Sequence, residues 1–231
     1  MLDLMASAPG CALQYRVVLA GARSEGNDIY ISMPDDSAAE LLVPTLRRQT
    51  DDGNPCPALA DFIDPAGDDH IGLFAVTISP ALREFIAVRE NSGDLYPSML
   101  ASSLAHRLVE AATEEMHYRV RTLLWGFAPD EPHNGRRLLR AEYQGIRPAI
   151  GYPSLPDQSL VFLADKLLHY SDMDITLTPN GAMEPSATVS GFIFGHPQSR
   201  YFIPGRISSE QRDDYSRRRG LGEDTDKFLP R

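Results

Sequence analysis

The sequence predicts an α+β fold, a twisted and mainly antiparallel sheet with flanking helices. Three observations support this. Strand-like segments come as sequence neighbours instead of alternating with helices, which disfavours a parallel, doubly wound sheet. Pro97–Val120 carries Leu100, Leu104, Leu108, Ala111 and Val120 at helical spacing, so one long helix presents an apolar stripe to a core. Ile71–Ile78 is almost continuously apolar and rich in β-branched and aromatic residues, the pattern of a buried central strand.

Taken in order, Tyr15–Ala20 and Asp28–Met33 read as strands of a hairpin, with Gly21–Asn27 as the loop between them. Glu40–Arg48 fits neither period well, because Pro44 would break a helix at its middle. The Asp51-Asp52-Gly53-Asn54-Pro55 breaker ends that segment. Leu59–Ile63 is a short apolar run ahead of the central strand. A helix is expected from Asp157 or Ser159 to about Tyr170, with Phe162, Leu163, Leu167 and Leu168 inward. Ala187–Phe194 and Tyr201–Ile207 read as strands joined by the turn Gly195–Ser199. Ser208 and Gln211 have the spacing of a capping box, and Gly220 ends the helix they open, behind Arg217, Arg218 and Arg219 in its last turn. No repeat, low-complexity block or linker divides the chain, so residues 15–231 are taken as a single domain behind a short extension of residues 1–14.

Composition excludes several classes. The net charge is −10 over 231 residues, and the last 33 residues carry +2, which leaves −12 on the remainder. An acidic body disfavours binding to a phosphate backbone, so no nucleic acid partner is expected. No apolar run approaches the roughly 20 residues that a spanning helix needs, and no basic region precedes the first apolar residues, so neither membrane anchoring nor a signal peptide is expected. Cys11 and Cys56 show no metal-ligand spacing, which points to a reduced, cytoplasmic protein.

The most unusual stretch is Gly145–Asp157, where Pro148, Pro153 and Pro156 with Gly145 and Gly151 impose an extended, non-repeating path. Such a backbone cannot satisfy its own N–H and C=O groups, so it either lies at the surface or cradles something. Arg147 and Tyr152 emerge from it, a planar fork for a carboxylate and a flat ring with a polar tip. An ordinary structural loop remains an equal alternative on composition alone. On the long helix, His106, Glu110 and His117 are expected on one polar face; His117 lies too far along for a shared metal ion, so none is expected.

Together with Met116–Arg121, Trp125–Glu131, Tyr143–Gly145, Thr188–Gly191, His196-Pro197, Ser199–Phe202 and Asp213–Gly220, this stretch resembles the activation domain of cobalamin-dependent methionine synthase. The resemblance runs in one order over nearly the whole chain after Tyr15. It implies a module that binds S-adenosylmethionine and supports reductive methylation of inactive cob(II)alamin in a methionine synthase or related corrinoid protein. It further implies ligand contacts at Arg147, Ala149 (through its backbone), Tyr152, Tyr201, Phe202 and Glu110, with no catalytic acid or base. Relatives take a further acidic contact from a helical segment ahead of the first matched strand; Asp3 is a poor match for it, and Glu184 is the candidate replacement. The chain is expected to act on the cobalamin-binding domain of a methionine synthase or another corrinoid protein, carried separately or in a longer enzyme. A flavodoxin-like protein would donate the electron. The competing reading is a docking module for a corrinoid protein that binds no S-adenosylmethionine.

Overall fold

The computed structural model describes residues 1–34, 36–50 and 53–229. A short helix α1 (Leu2–Ser7) leads into β1 (Leu13–Glu25), β2 (Asp28–Met33) and β3 (Asp36–Pro44). Next come a 3₁₀ turn at Leu59–Phe62, β4 (Asp69–Ile78), α2 (Pro80–Asn91) and α3 (Leu95–Arg119). After α3 follow a π turn at Val120–Leu124, α4 (Gly135–Leu139), α5 (Leu160–Leu168), the small hairpin β5 (Thr176–Leu177) and β6 (Met183–Glu184), β7 (Thr188–Ile193), α6 (Ser209–Arg219) and α7 (Thr225–Phe228). The main sheet has the order β3-β2-β1-β4-β7, and every pairing in it is antiparallel.

β4 explains the layering. Residues of a strand alternate between the two faces of the sheet, and here both faces are covered. Ile71, Leu73 and Ala75 enter one core with α5; Phe74, Val76 and Ile78 enter the other with α2 and α3. A strand buried on both sides is apolar on both faces, which is why its sequence shows no alternation; its one buried polar side chain, Thr77, shares a hydrogen bond with Thr188 on β7. A smaller cluster of Leu46, Tyr215 and Leu229 seats α6.

Several sequence expectations change in detail. The first hairpin forms, but Gly21–Asn27 is not its loop. β1 continues to Glu25, because Gly21 and Ala22 keep their ladder with β4 while Ala22–Glu25 pair with β2. Glu40–Arg48 is the end of a strand followed by extended chain, and Pro44 terminates the ladder. Asp51 and Asp52 of the breaker lie outside the described residues. Leu59–Ile63 forms a single 3₁₀ turn, closed by the Asp61 carboxylate accepting from the Ala58 N–H at 2.9 Å.

The long helix exists, with its stripe displaced by one position. Ala101, Ala105, Val109, Thr113, Met116 and Val120 are buried, whereas Leu100, Leu104 and Leu108 are half-buried and Ala111 is exposed. Small residues let α3 lie close to the sheet while the leucines flank the contact. Tyr201–Ile207 is not a strand. Pro204 has no N–H to give a ladder, Gly205 sits at φ +84°, and the Phe202 backbone bonds to the Ser154 hydroxyl instead. At α6, Ser208 caps the Gln211 N–H, but the Gln211 side chain accepts from the Arg47 N–H at 2.8 Å, so only half of the capping box forms. Arg218 pairs with Asp28 and Asp214, and Arg219 with Asp157, so the arginines pin α6 to the body as well as suiting its C-terminus.

Candidate functional site

The loop Gly145–Asp157 obtains its backbone partners from β7. The Ile146 N–H donates to Phe194 C=O and the Phe194 N–H donates back, at 3.0 and 2.9 Å. Further along, Ile150 donates to Ser190 C=O and Phe192 to Pro148 C=O, at 3.0 and 3.1 Å. Prolines suit this arrangement, since the loop pairs intermittently and Pro148 serves only as an acceptor. Gly191 is required by the close approach: a Cβ there would overlap the Pro148 carbonyl oxygen and lie 2.8 Å from Ala149 Cα. A loop that reads as unsatisfiable is thereby fixed against the sheet; Ile146, Ile150 and Leu155 enter the core that holds α5, while Arg147 reaches across to α3.

Between this loop, α3 and the segment after β7 lies a cavity of about 840 Å³. That volume falls within the range of small-molecule pockets, and aromatic side chains with a few charged groups line it. All six residues expected at the site, Arg147, Ala149, Tyr152, Tyr201, Phe202 and Glu110, line this one cavity. They come from three separate parts of the chain. Arg147 is mostly buried, its side chain 17% exposed. Its backbone N–H donates to the Tyr201 hydroxyl at 3.0 Å, which holds the aromatic segment across the loop. The Tyr201 ring is half exposed, while burial of its hydroxyl end raises the phenol's pKa above the usual tyrosine value. Phe202 is locked through its backbone by Ser154, which donates to Phe202 C=O at 2.6 Å and accepts from its N–H at 3.1 Å. Tyr152 is largely exposed at the rim. Glu110 is exposed as well and pairs with Arg107 at 2.8 Å.

The model of the family described as vitamin B12 dependent methionine synthase, activation domain, matches residues 1–220. The chain belongs to that family. Among solved structures it is similar to one described as the crystal structure of the MetH reactivation domain bound to AdoHcy. The two share 34% sequence identity and a TM-score of 0.92 over 100% of this chain and 74% of the other. The activation-domain fold is thus that of an α+β protein with an antiparallel sheet.

Sequence reasoning missed two pocket residues of this activation domain. Glu114 forms an ion pair with the Arg147 guanidinium. Its signal was present, since it lies one helical turn beyond Glu110 and shares its face. Tyr143 also lines the cavity; its ring stacks on the Arg121 guanidinium at 3.9 Å, and burial pushes its phenol up to about 12. It belongs to the Tyr143–Gly145 motif that carries the resemblance, but nothing in that motif assigns it to the pocket.

Two expectations fail. His117 does not share the polar face of Glu110, because it is fully buried and meets Tyr143 edge-on at a ring separation of 5.2 Å. Burial, aided by the charges of Arg121 and Arg147, holds its imidazole well below the usual histidine range. His106 stays outside, its ring within 2.9 Å of Ser102 C=O. Glu184 does not line the cavity; it sits on the β5–β6 hairpin. Asp3, on α1, does not line it either. Among the described residues no group of three His, Cys, Asp or Glu is placed to hold a metal ion, and no helix is long and apolar enough to cross a membrane.

Proposed function

We propose that this chain binds S-adenosylmethionine in the cavity between α3 and the proline-rich loop, and presents its methyl group to a cobalamin-binding domain for reactivation. The observation that carries this reading is the mostly buried Arg147 at the wall of an aromatic-lined cavity. A guanidinium offers a bidentate fork to the ligand carboxylate, and Tyr201, Phe202 and Tyr152 offer flat faces to a purine. Ala149 would contribute backbone groups, and Glu110 a polar contact from α3. Membership of the family and the similar domain's binding of S-adenosylhomocysteine support the same ligand class.

Cobalamin, carried by the partner, supplies the cobalt that takes up the methyl group. The residues of this chain bind, orient and shield the sulfonium ligand. The partner is the cobalamin-binding domain of a methionine synthase or another corrinoid protein, with a flavodoxin-like electron donor acting upstream. A reducing, cytoplasmic setting belongs to the same reading, since the spacing of Cys11 and Cys56 suggests no metal site or disulfide framework.

Calorimetric titration with S-adenosylmethionine tests this. Arg147→Ala should weaken binding by roughly one to two decades, the worth of a charged hydrogen bond. Arg147→Lys should recover part of the loss, lacking the fork. Equal binding by wild type and Arg147→Ala would remove the loop from the site. A wild type that binds nothing would return the chain to a docking role without ligand.

A further inference from the structure

We infer that Glu114 is the positioning residue for Arg147, holding its guanidinium in the pocket wall and so making the site selective for ligands that carry an amino-acid end. This rests on the binding reading above. The ion pair joins one guanidinium nitrogen, Nη2, to one carboxylate oxygen, Oε1. The pair is screened from water, with the two side chains 17% and 25% exposed. Arg147 Nε and Glu114 Oε2 are both buried and without a hydrogen-bond partner among the described residues. The guanidinium is therefore anchored to α3 through one nitrogen, and no other side chain among the described residues hydrogen-bonds to it.

Geometry makes this anchor necessary. Arg147 projects from an irregular loop, and only its backbone N–H is tied elsewhere, to Tyr201. A long side chain with no anchor spreads over many rotamers, and binding would then have to order it. Glu114 sits on a 25-residue helix packed against the sheet, so its backbone is held independently of the loop. The surroundings also discourage any other charge balance. His117, Arg121 and Tyr143 lie on the interior side, and Arg121 is already committed to Glu131 at 2.6 Å. Without Glu114 the other carboxylate among the described lining residues is Glu110, exposed and paired with Arg107, and Arg147 would turn to solvent.

Two ligands separate positioning from general structure. S-adenosylmethionine carries the carboxylate; 5′-methylthioadenosine has the same adenosine end and none. In Glu114→Gln, affinity for S-adenosylmethionine should fall about tenfold, most of what Arg147 provides, while 5′-methylthioadenosine binds within about twofold of wild type. Glu114→Asp, which keeps the charge on a shorter arm, should restore part of the difference. If Glu114→Gln leaves the preference between the two ligands unchanged, or weakens both equally, Glu114 does not position Arg147. If wild type shows no preference for the amino-acid ligand, or Arg147→Ala does not abolish it, the underlying binding reading fails instead.

Discussion

Removing one partner of the Arg121–Glu131 pair should be among the most damaging single changes available in this protein. Arg121 is fully buried and Glu131 has a side-chain exposure of 9%. The contact is bidentate, Nε to Oε2 at 2.7 Å and Nη2 to Oε1 at 2.6 Å. Arg121 also underlies the Tyr143 ring, which lines the pocket. Glu131→Gln leaves a full positive charge buried beside a neutral amide, and Arg121→Met leaves a buried carboxylate. Breaking such a pair typically costs about 3–5 kcal/mol, roughly a fifth or more of the stability of an ordinary domain. For a chain of this size that lowers the melting temperature by roughly 6–20 °C. Arg121→Met combined with Glu131→Leu should recover most of the loss, since an apolar pair of similar volume avoids burying charge. Urea denaturation followed by circular dichroism, with calorimetric melting, reads all three variants. Single variants that each cost less than about 1 kcal/mol would refute the argument, because a pair so cheaply broken is not desolvated.

Other expectations follow from the same physics. His117 has a depressed folded-state pKa, so the unfolded chain binds the extra proton first; stability should fall as pH drops below about 6.5, by up to about 1.4 kcal/mol per unit. Denaturation curves from pH 7.5 to 5.5 should show this slope reduced in His117→Leu, and identical slopes would contradict it. Gly191→Ala should displace the proline-rich loop and abolish ligand binding, which titration of the folded variant would detect. Tyr201→Phe removes the acceptor for the Arg147 N–H and should weaken S-adenosylmethionine binding by about 1 kcal/mol, with an unaltered affinity counting against that link. Both lining carboxylates with described pairs, Glu110 and Glu114, already face arginines. S-adenosylmethionine and S-adenosylhomocysteine should therefore bind within roughly tenfold of each other; a larger preference for the sulfonium would mean that one of those carboxylates is released to it.

What could be read from the sequence depended on whether a local pattern caused the structure. The central strand, the long helix and the end of α6 are legible because apolar runs, helical spacing and a glycine stop act over a few residues. The α3 stripe was read one position off. Leucines look like the core of a helix, yet close packing against the sheet selects the alanines and Val109 beside them. Tyr201–Ile207 has the composition of a strand, but its partners are the Ser154 side chain and Gln49, far away in the chain. The six site residues were named through family resemblance, and the fold is what gathers them at one cavity. Glu114 escaped because its role depends on Arg147, 33 positions later and on another element. The failure of Glu184 has the same origin, since no sequence distance says which hairpin faces which cavity.

The union of the proline-rich loop with β7 has a consequence for the free protein as well as for its ligand. β7 is the last strand of the sheet, and a last strand with open N–H and C=O groups is a template for unwanted pairing with other chains. Here the segment that forms the pocket wall is also what covers that template. Any change that frees the loop exposes a self-association surface at the moment it destroys the cavity. Loss of binding and a rise in aggregation should therefore appear together in loop variants, and a bound ligand that pins the loop should suppress both.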